Sequence, residues 1–449
     1  MSISRHVVKS TVVGALGGLL FGFDTAVISG TTQALTNKFH LSPGMLGFVV
    51  SSALWGTVAG AITAGVPGQK YGRRDSLRVM ALFYVISALG CALAWNIESL
   101  IVFRFISGLA IGGSSVLGPM YIAEIAPPKW RGRLVGFFQV NIVIGILIAY
   151  VSNYLIASLQ LGATEWRWQL GVAAIPSALF MVMLFFIPRS PRWLTTQSRL
   201  DEAYGVLALI GVENPQQELE EIRNSLRQEA SAGKDSLWSK QYRLPVFVAL
   251  TVGAFCQLTG INAILYYLND IFSLAGASKI SGSLQAVAVG AMNLVATLIA
   301  MSVIDKLGRK KLLLAGTVGL TVVLGAIAAL FYTHSHLNLL VWLLMAYIAL
   351  FAISHGAVVW VYISEVFPNR VRAKGQSLGS SSHWVSNAII SLVFPVFAKS
   401  SGATPFVFFA VMMVIDFFLV LFYYPETAGV SLERMHDRLE AVSHHEVLK

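Results

Sequence analysis

The 449-residue chain is 56% hydrophobic and only 12% charged, against about 25% charged for an average soluble domain, which excludes a soluble multidomain protein. A net charge of +10 would suit a nucleic-acid ligand, but its distribution along the chain, given below, points to a bilayer and to no nucleic acid. Cys91 and Cys256 both lie in apolar runs, so no disulfide framework is implied.

A membrane-crossing helix needs roughly 20 predominantly apolar residues. Twelve such runs follow one another, at 11–31, 45–66, 77–96, 99–123, 133–158, 168–187, 245–273, 282–304, 311–332, 338–363, 374–398 and 403–423. The first has no small-residue cleavage site and is expected to remain as a span. Its stretch GGLLFGFDTAVISG carries one carboxylate, Asp24, which is costly at that depth unless it is paired or functional. Gly14, Gly17, Gly18 and Gly22 would let neighbouring helices approach closely.

The predicted layout is an amino-terminal six-helix bundle over 1–187, a cytoplasmic linker over 188–244, a carboxy-terminal six-helix bundle over 245–423 and a cytoplasmic tail over 424–449. With both termini in the cytoplasm, Lys38, Arg167, Lys279 and Lys399 fall outside and Arg104 falls within a span. The other basic residues face the cytoplasm, the asymmetry that orients membrane proteins. In the linker, Ser198 with Asp201 resembles a capping box, and Asn214-Pro215 reads as a cap and first turn. Leu219, Ile222 and Leu226 follow at helical spacing, so at least two short amphipathic helices are expected there.

The halves echo each other. YGRR at 71–74 returns as LGRK at 307–310, YIAEIAP at 121–127 as YISEVFP at 362–368, and PRSPR at 188–192 as PET at 425–427. Three landmarks at nearly one offset mark an internal duplication, the construction of alternating-access transporters. Arg104 lies about five residues, on the order of 7 Å, from the outer end of span 4, and Asp24 about seven residues, on the order of 10 Å, from that of span 1. The depths match, so an ion pair is expected. Burial and a guanidinium pull a carboxyl in opposite senses, which would let a changing environment load and release a proton.

The motifs FGFDTAVISG, GRRDS, RFISG, PMYIAEIAPPKWRGRL, PRSPRWL, QLTGINAILYY, DKLGRKK, YISEVFPNRVR and PETAGVSLER resemble the sugar porter family of the major facilitator superfamily, from about residue 11 to 432. The resemblance implies an all-α membrane fold of two pseudo-symmetric six-helix bundles, with a central monosaccharide site open alternately to either side. Proton-coupled members carry Asp at the position of Asp24, and facilitative ones characteristically carry Asn. It also implies substrate contacts from Phe21, Gln139, Gln257, Asn262, Tyr266, Asn293, Phe351, Trp360, His383, Trp384 and Asn387. Amides match sugar hydroxyls because they both donate and accept, and aromatic faces cover the apolar C–H surface.

Three departures bear on which sugar is bound. Cys256 replaces the first of two paired glutamines, Ala357 replaces a proline of GPxxW, and His383 stands where Asn or Gln is usual. Arg73, Arg74, Glu124 and Arg131 in the first half, with Asp305, Arg309, Glu365 and Arg370 in the second, are implied as interdomain ion pairs closing the cytoplasmic side. Gln69 and Arg189 replace acidic residues there, which predicts a weaker amino-terminal lock. His334 and His336 read as solvated loop residues, and no metal or cofactor is expected. The sequence thus predicts a proton-coupled hexose or pentose symporter of the plasma (inner) membrane, working as a monomer. A facilitative uniporter and a non-transporting sugar sensor are the alternatives.

Overall fold

A computed structural model describes residues 4–231, 236–368 and 371–427. Among them are 12 helices long and apolar enough to cross a membrane, with no strand. In chain order the spans are Arg5–Gly30, Pro43–Lys70, Arg73–Ala92, Ile97–Ile125, Arg131–Ser158, Gly162–Phe186, Lys240–Tyr266, Lys279–Ile304, Arg309–Thr333, Leu337–Glu365, Lys374–Ser400 and Thr404–Tyr423. Several begin before the expected limits, because charged residues such as Arg5, Arg73 and Lys240 form first turns at the polar boundary. Span 7 ends before residue 273. Tyr267 leaves helical backbone (φ −112°, ψ 20°), and Leu268–Leu274 is a separate short helix.

Among its described residues the linker holds three helices, Pro191–Thr196, Leu200–Leu209 and Pro215–Ser231. The first is capped by Ser190, which accepts from the Trp193 amide, with Pro191 in its first turn. The expected capping role of Ser198 is not observed. Its backbone is left-handed (φ 59°), Arg199 occupies the cap, and no side chain there caps a backbone amide of the helix. Asn214 does accept from the Gln217 amide at 3.2 Å, which starts the third helix.

The chain divides into two compact units. One comprises 4–27, 52–152 and 161–231, the other 28–51, 153–160 and the described residues from 236 onward. The first packs Leu77, Tyr84, Tyr121 and Phe180 from its spans against Trp193, Leu207 and Leu219 of the linker. Burying an apolar side chain of this size contributes about 1.5–3 kcal/mol, which explains why the linker helices lie on the bundle. Close backbone approach sets the positions of its spans. A Cβ on Gly22 would stand 1.8 Å from the Ile142 carbonyl oxygen, and one on Gly108 1.8 Å from that of Ala53. The second unit packs Val248, Cys256, Leu313, Tyr362 and Val420.

The duplication is visible in bonds. Tyr121 donates to the Pro188 carbonyl, and Tyr362 donates to that of Pro425. Each ties the end of the fourth helix of its half to the motif that follows the sixth.

Candidate functional site

Asp24 lies on span 1, two residues beyond the tight crossing at Gly22. Its two oxygens are met separately from span 4. Arg104 Nη1 is 3.1 Å from Oδ2, and Ser107 donates to Oδ1 at 2.7 Å. Arg104 and Ser107 are three residues apart and share a helix face. The Arg104 side chain is 3% exposed, so the guanidinium is held in the apolar interior with the carboxylate as partner. Such a pair is favourable only while both charges are present.

The second unit holds a linked amide and aromatic set. Asn262 donates to Gln257 Oε1 at 3.0 Å, and Gln257 Nε2 lies 2.8 Å from His383 Nε2. An amide nitrogen donates, so this imidazole nitrogen accepts. The His383 ring is 4.7 Å from that of Trp360 and 5.3 Å from that of Trp384. Trp360 is exposed while Trp384 is buried. One turn along span 11, Asn387 donates to the Tyr266 hydroxyl at 3.2 Å and accepts from Ser391 at 3.2 Å. Asn293 is buried on span 8, and the Phe351 ring stacks on His355, 6.4 Å away. Phe21 and Gln139 belong to the first unit. Phe21 packs on its core, and Gln139 is half-buried on span 5.

At the start of span 3 Arg73 pairs with Glu124 at 2.9 Å, and at the start of span 9 Arg309 pairs with Glu365 at 3.0 Å. These are equivalent pairs in the two halves, each within one unit, whereas the resemblance implied pairs between bundles. Arg74 bonds Asp75 at 3.0 Å, and Arg131 is exposed at the start of span 5. Arg370 and the side chain of Asp305 lie outside the described residues. Asp75, inside the GRRDS motif, was missed as a centre of this cluster. It also meets Arg78 at 2.8 Å and Arg189 at 3.0 Å, so Arg189 is a partner and not a lost one. In the second half Glu426 accepts from the amides of Arg309 and Lys310 at 2.9 and 3.1 Å, capping span 9.

Family comparison agrees with the architecture. Residues 10–439 match the family described as sugar (and other) transporters, and the chain belongs to that family. The D-xylose-proton symporter of Escherichia coli K12 is 34% identical, over 96% of this chain and 95% of that protein. The arabinose-proton symporter of Bacillus subtilis is 36% identical over 96% and 94%. The partially occluded inward-open structure of the Escherichia coli xylose transporter XylE superposes with a TM-score of 0.86 at 33% identity, over 95% of this chain and 100% of that one.

Proposed function

We propose that this chain is a proton-coupled symporter that imports a hexose or pentose across the plasma (inner) membrane, with both termini cytoplasmic. The observation that carries the reading is the pair of the half-buried Asp24 with the buried Arg104. Protonating Asp24 leaves the Arg104 cation desolvated without its counter-charge, a state costing about 3–5 kcal/mol where such pairs are broken. That cost is relieved if the bundles over 1–187 and 245–423 rearrange. Proton loading thereby biases alternating access. One proton crossing 100 mV supplies about 2.3 kcal/mol, enough for roughly fifty-fold accumulation of a neutral sugar at about 1.4 kcal/mol per tenfold.

Gln257, Asn262, His383, Trp360, Trp384, Tyr266 and Asn387, with Asn293 and Phe351, form the carboxy-terminal share of the sugar site in this reading. Phe21 and Gln139 form the amino-terminal share. Pairs of Arg73 with Glu124 and of Arg309 with Glu365, together with Arg74, Arg131, Asp305 and Arg370, gate the cytoplasmic face. The protein acts as a monomer. The xylose- and arabinose-proton symport named for the relatives supports pentose as a starting substrate.

In proteoliposomes, wild-type protein is expected to concentrate labelled sugar when a proton gradient is imposed. Asp24→Asn is expected to keep sugar counterflow and lose concentrative uptake. Concentrative uptake by Asp24→Asn would overturn the coupling role, and a facilitator would show no effect of the gradient on the wild type.

A further inference from the structure

Span 12 carries a second intramembrane carboxylate, Asp416, and span 10 a buried imidazole, His355. His355 Nε2 is 2.8 Å from Asp416 Oδ2, and both side chains are 2% exposed. His355 lies in the π turn Ala352–Gly356 that interrupts span 10. Such one-turn irregularities recur at functional positions. The turn precedes Ala357, the position where the resemblance leads one to expect proline.

The hydrogen bonds link the protonation of the pair to the Ser354 hydroxyl. Ser354 Oγ lies 2.6 Å from the Leu350 carbonyl and 3.2 Å from His355 Nδ1. With the hydroxyl proton turned to Leu350, Ser354 presents a lone pair to Nδ1, which donates. A further proton lies between Nε2 and Oδ2, and the pair is neutral overall whichever atom owns it. Removing that proton sets an imidazole lone pair against a carboxylate. The ring can donate to Asp416 again only if Nδ1 becomes an acceptor, and then Ser354 must turn its proton from Leu350 to Nδ1. Proton loss is thus linked to a hydroxyl that bonds the backbone of the π turn.

Among the described residues, the ion pair seen at Asp416 is with His355, not with a lysine or arginine. Span 7 brings Cys256, and the end of span 12 brings Tyr424, within electrostatic reach of Asp416. Span 10 itself adds Tyr347, whose hydroxyl donates to the Thr259 carbonyl. Span 9 presents Gly316, where a Cβ would stand 2.2 Å from the Ser354 side chain. Neither 280–304 of span 8 nor 312–331 of span 9 contains a titratable side chain.

We propose that His355 and Asp416 form a second proton-binding site, separate from Asp24, whose proton is exchanged with water as span 10 rearranges about its π turn. The site adds to the alternating-access reading above and rests on it, but not on the role of Asp24. The test is sugar counterflow by purified protein in proteoliposomes, with equal pH on both sides, varied from about 5 to about 8. The background is Asp24→Asn, so that the first site is silent. Exchange is expected to keep a several-fold pH dependence in this background, and His355→Gln or Asp416→Asn is expected to flatten it. A paired replacement, His355→Phe with Asp416→Leu, removes both charges together and guards against misfolding of the single variants. A flat profile in the Asp24→Asn background would overturn the proposal, as would a pH dependence surviving the paired replacement. Failure of the Asp24 reading would appear separately, as accumulation by the single Asp24→Asn protein.

Discussion

Asp24 shows how much a single side chain is asked to hold. Its ionised form uses one oxygen for Arg104 and the other for Ser107. Ser107→Ala removes one bond to a charged acceptor, worth about 1.5–3 kcal/mol. Arg104→Met leaves a half-buried carboxylate without its counter-ion, a loss toward the lower end of the range of about 3–5 kcal/mol seen for fully buried pairs. Thermal melts in detergent are expected to rank the two in that order. Pairing Arg104→Met with Asp24→Leu is expected to recover most of the loss, because neither partner is then left desolvated. Asp24 and Arg104 were legible in the sequence because a charge at membrane depth demands a reason. Ser107 was not, since a serine in a helix carries no such penalty, although its place one turn after Arg104 was open to view. Asp416 carries the same cost, yet its pairing is not legible in the sequence. Its partner is 61 residues away and stands in a π turn, where ordinary helical spacing no longer tells which side a residue faces.

Packing between helices is decided by where backbone can meet backbone. Gly22 and Gly108 are each positions where a methyl group would overlap a carbonyl oxygen of the crossing helix, so spans 1 and 5, and spans 2 and 4, separate if either is enlarged. Gly22→Ala is expected to cost about 1–3 kcal/mol as an overpacked contact, and to reduce transport because it displaces the helix that carries Asp24. Gly65→Ala is the control: nothing lies within 4 Å of that position, which is the first residue of a short helix, so the melting temperature should hold. The twelve spans were legible from apolar length alone. The linker was legible only in part. Asn214-Pro215 announces its helix by both residue types, whereas Ser198 has the right chemistry and the wrong backbone: with φ at 59° its hydroxyl is not aimed at the first turn. Proline at 191 after Ser190 gave an equally good signal, and it is the one the structure uses.

Across the whole molecule the two halves repeat the same bonds with one reversal of charge. Glu426 caps span 9 from the segment after span 12. The equivalent place after span 6 holds Arg189, which binds Asp75 instead. The duplication was visible in the sequence, but the compensation was not, because it pairs positions 114 residues apart. The outer ends of the early spans raise a different matter. Residues 28–51 belong to the second unit, and there Thr32 and Gln33 bond Asp270, which lies beyond the end of span 7 at Tyr266. Burial pushes the Asp270 carboxyl up to about 6 against the pull of those two bonds, and its Oδ2 is buried without a hydrogen-bond partner. A raised carboxyl favours the packed arrangement when protonated. Its contribution is therefore complete below the ordinary value of 3.8 and is lost as pH rises through about 6. Amide-exchange protection of residues 28–34 is expected to fall as pH rises through that window, once intrinsic exchange rates are divided out. Asp270→Asn, which keeps a neutral side chain at every pH, is expected to hold protection constant across it. Protection that rises with pH in the wild type, or a fall that persists in Asp270→Asn, would show that another group controls this contact.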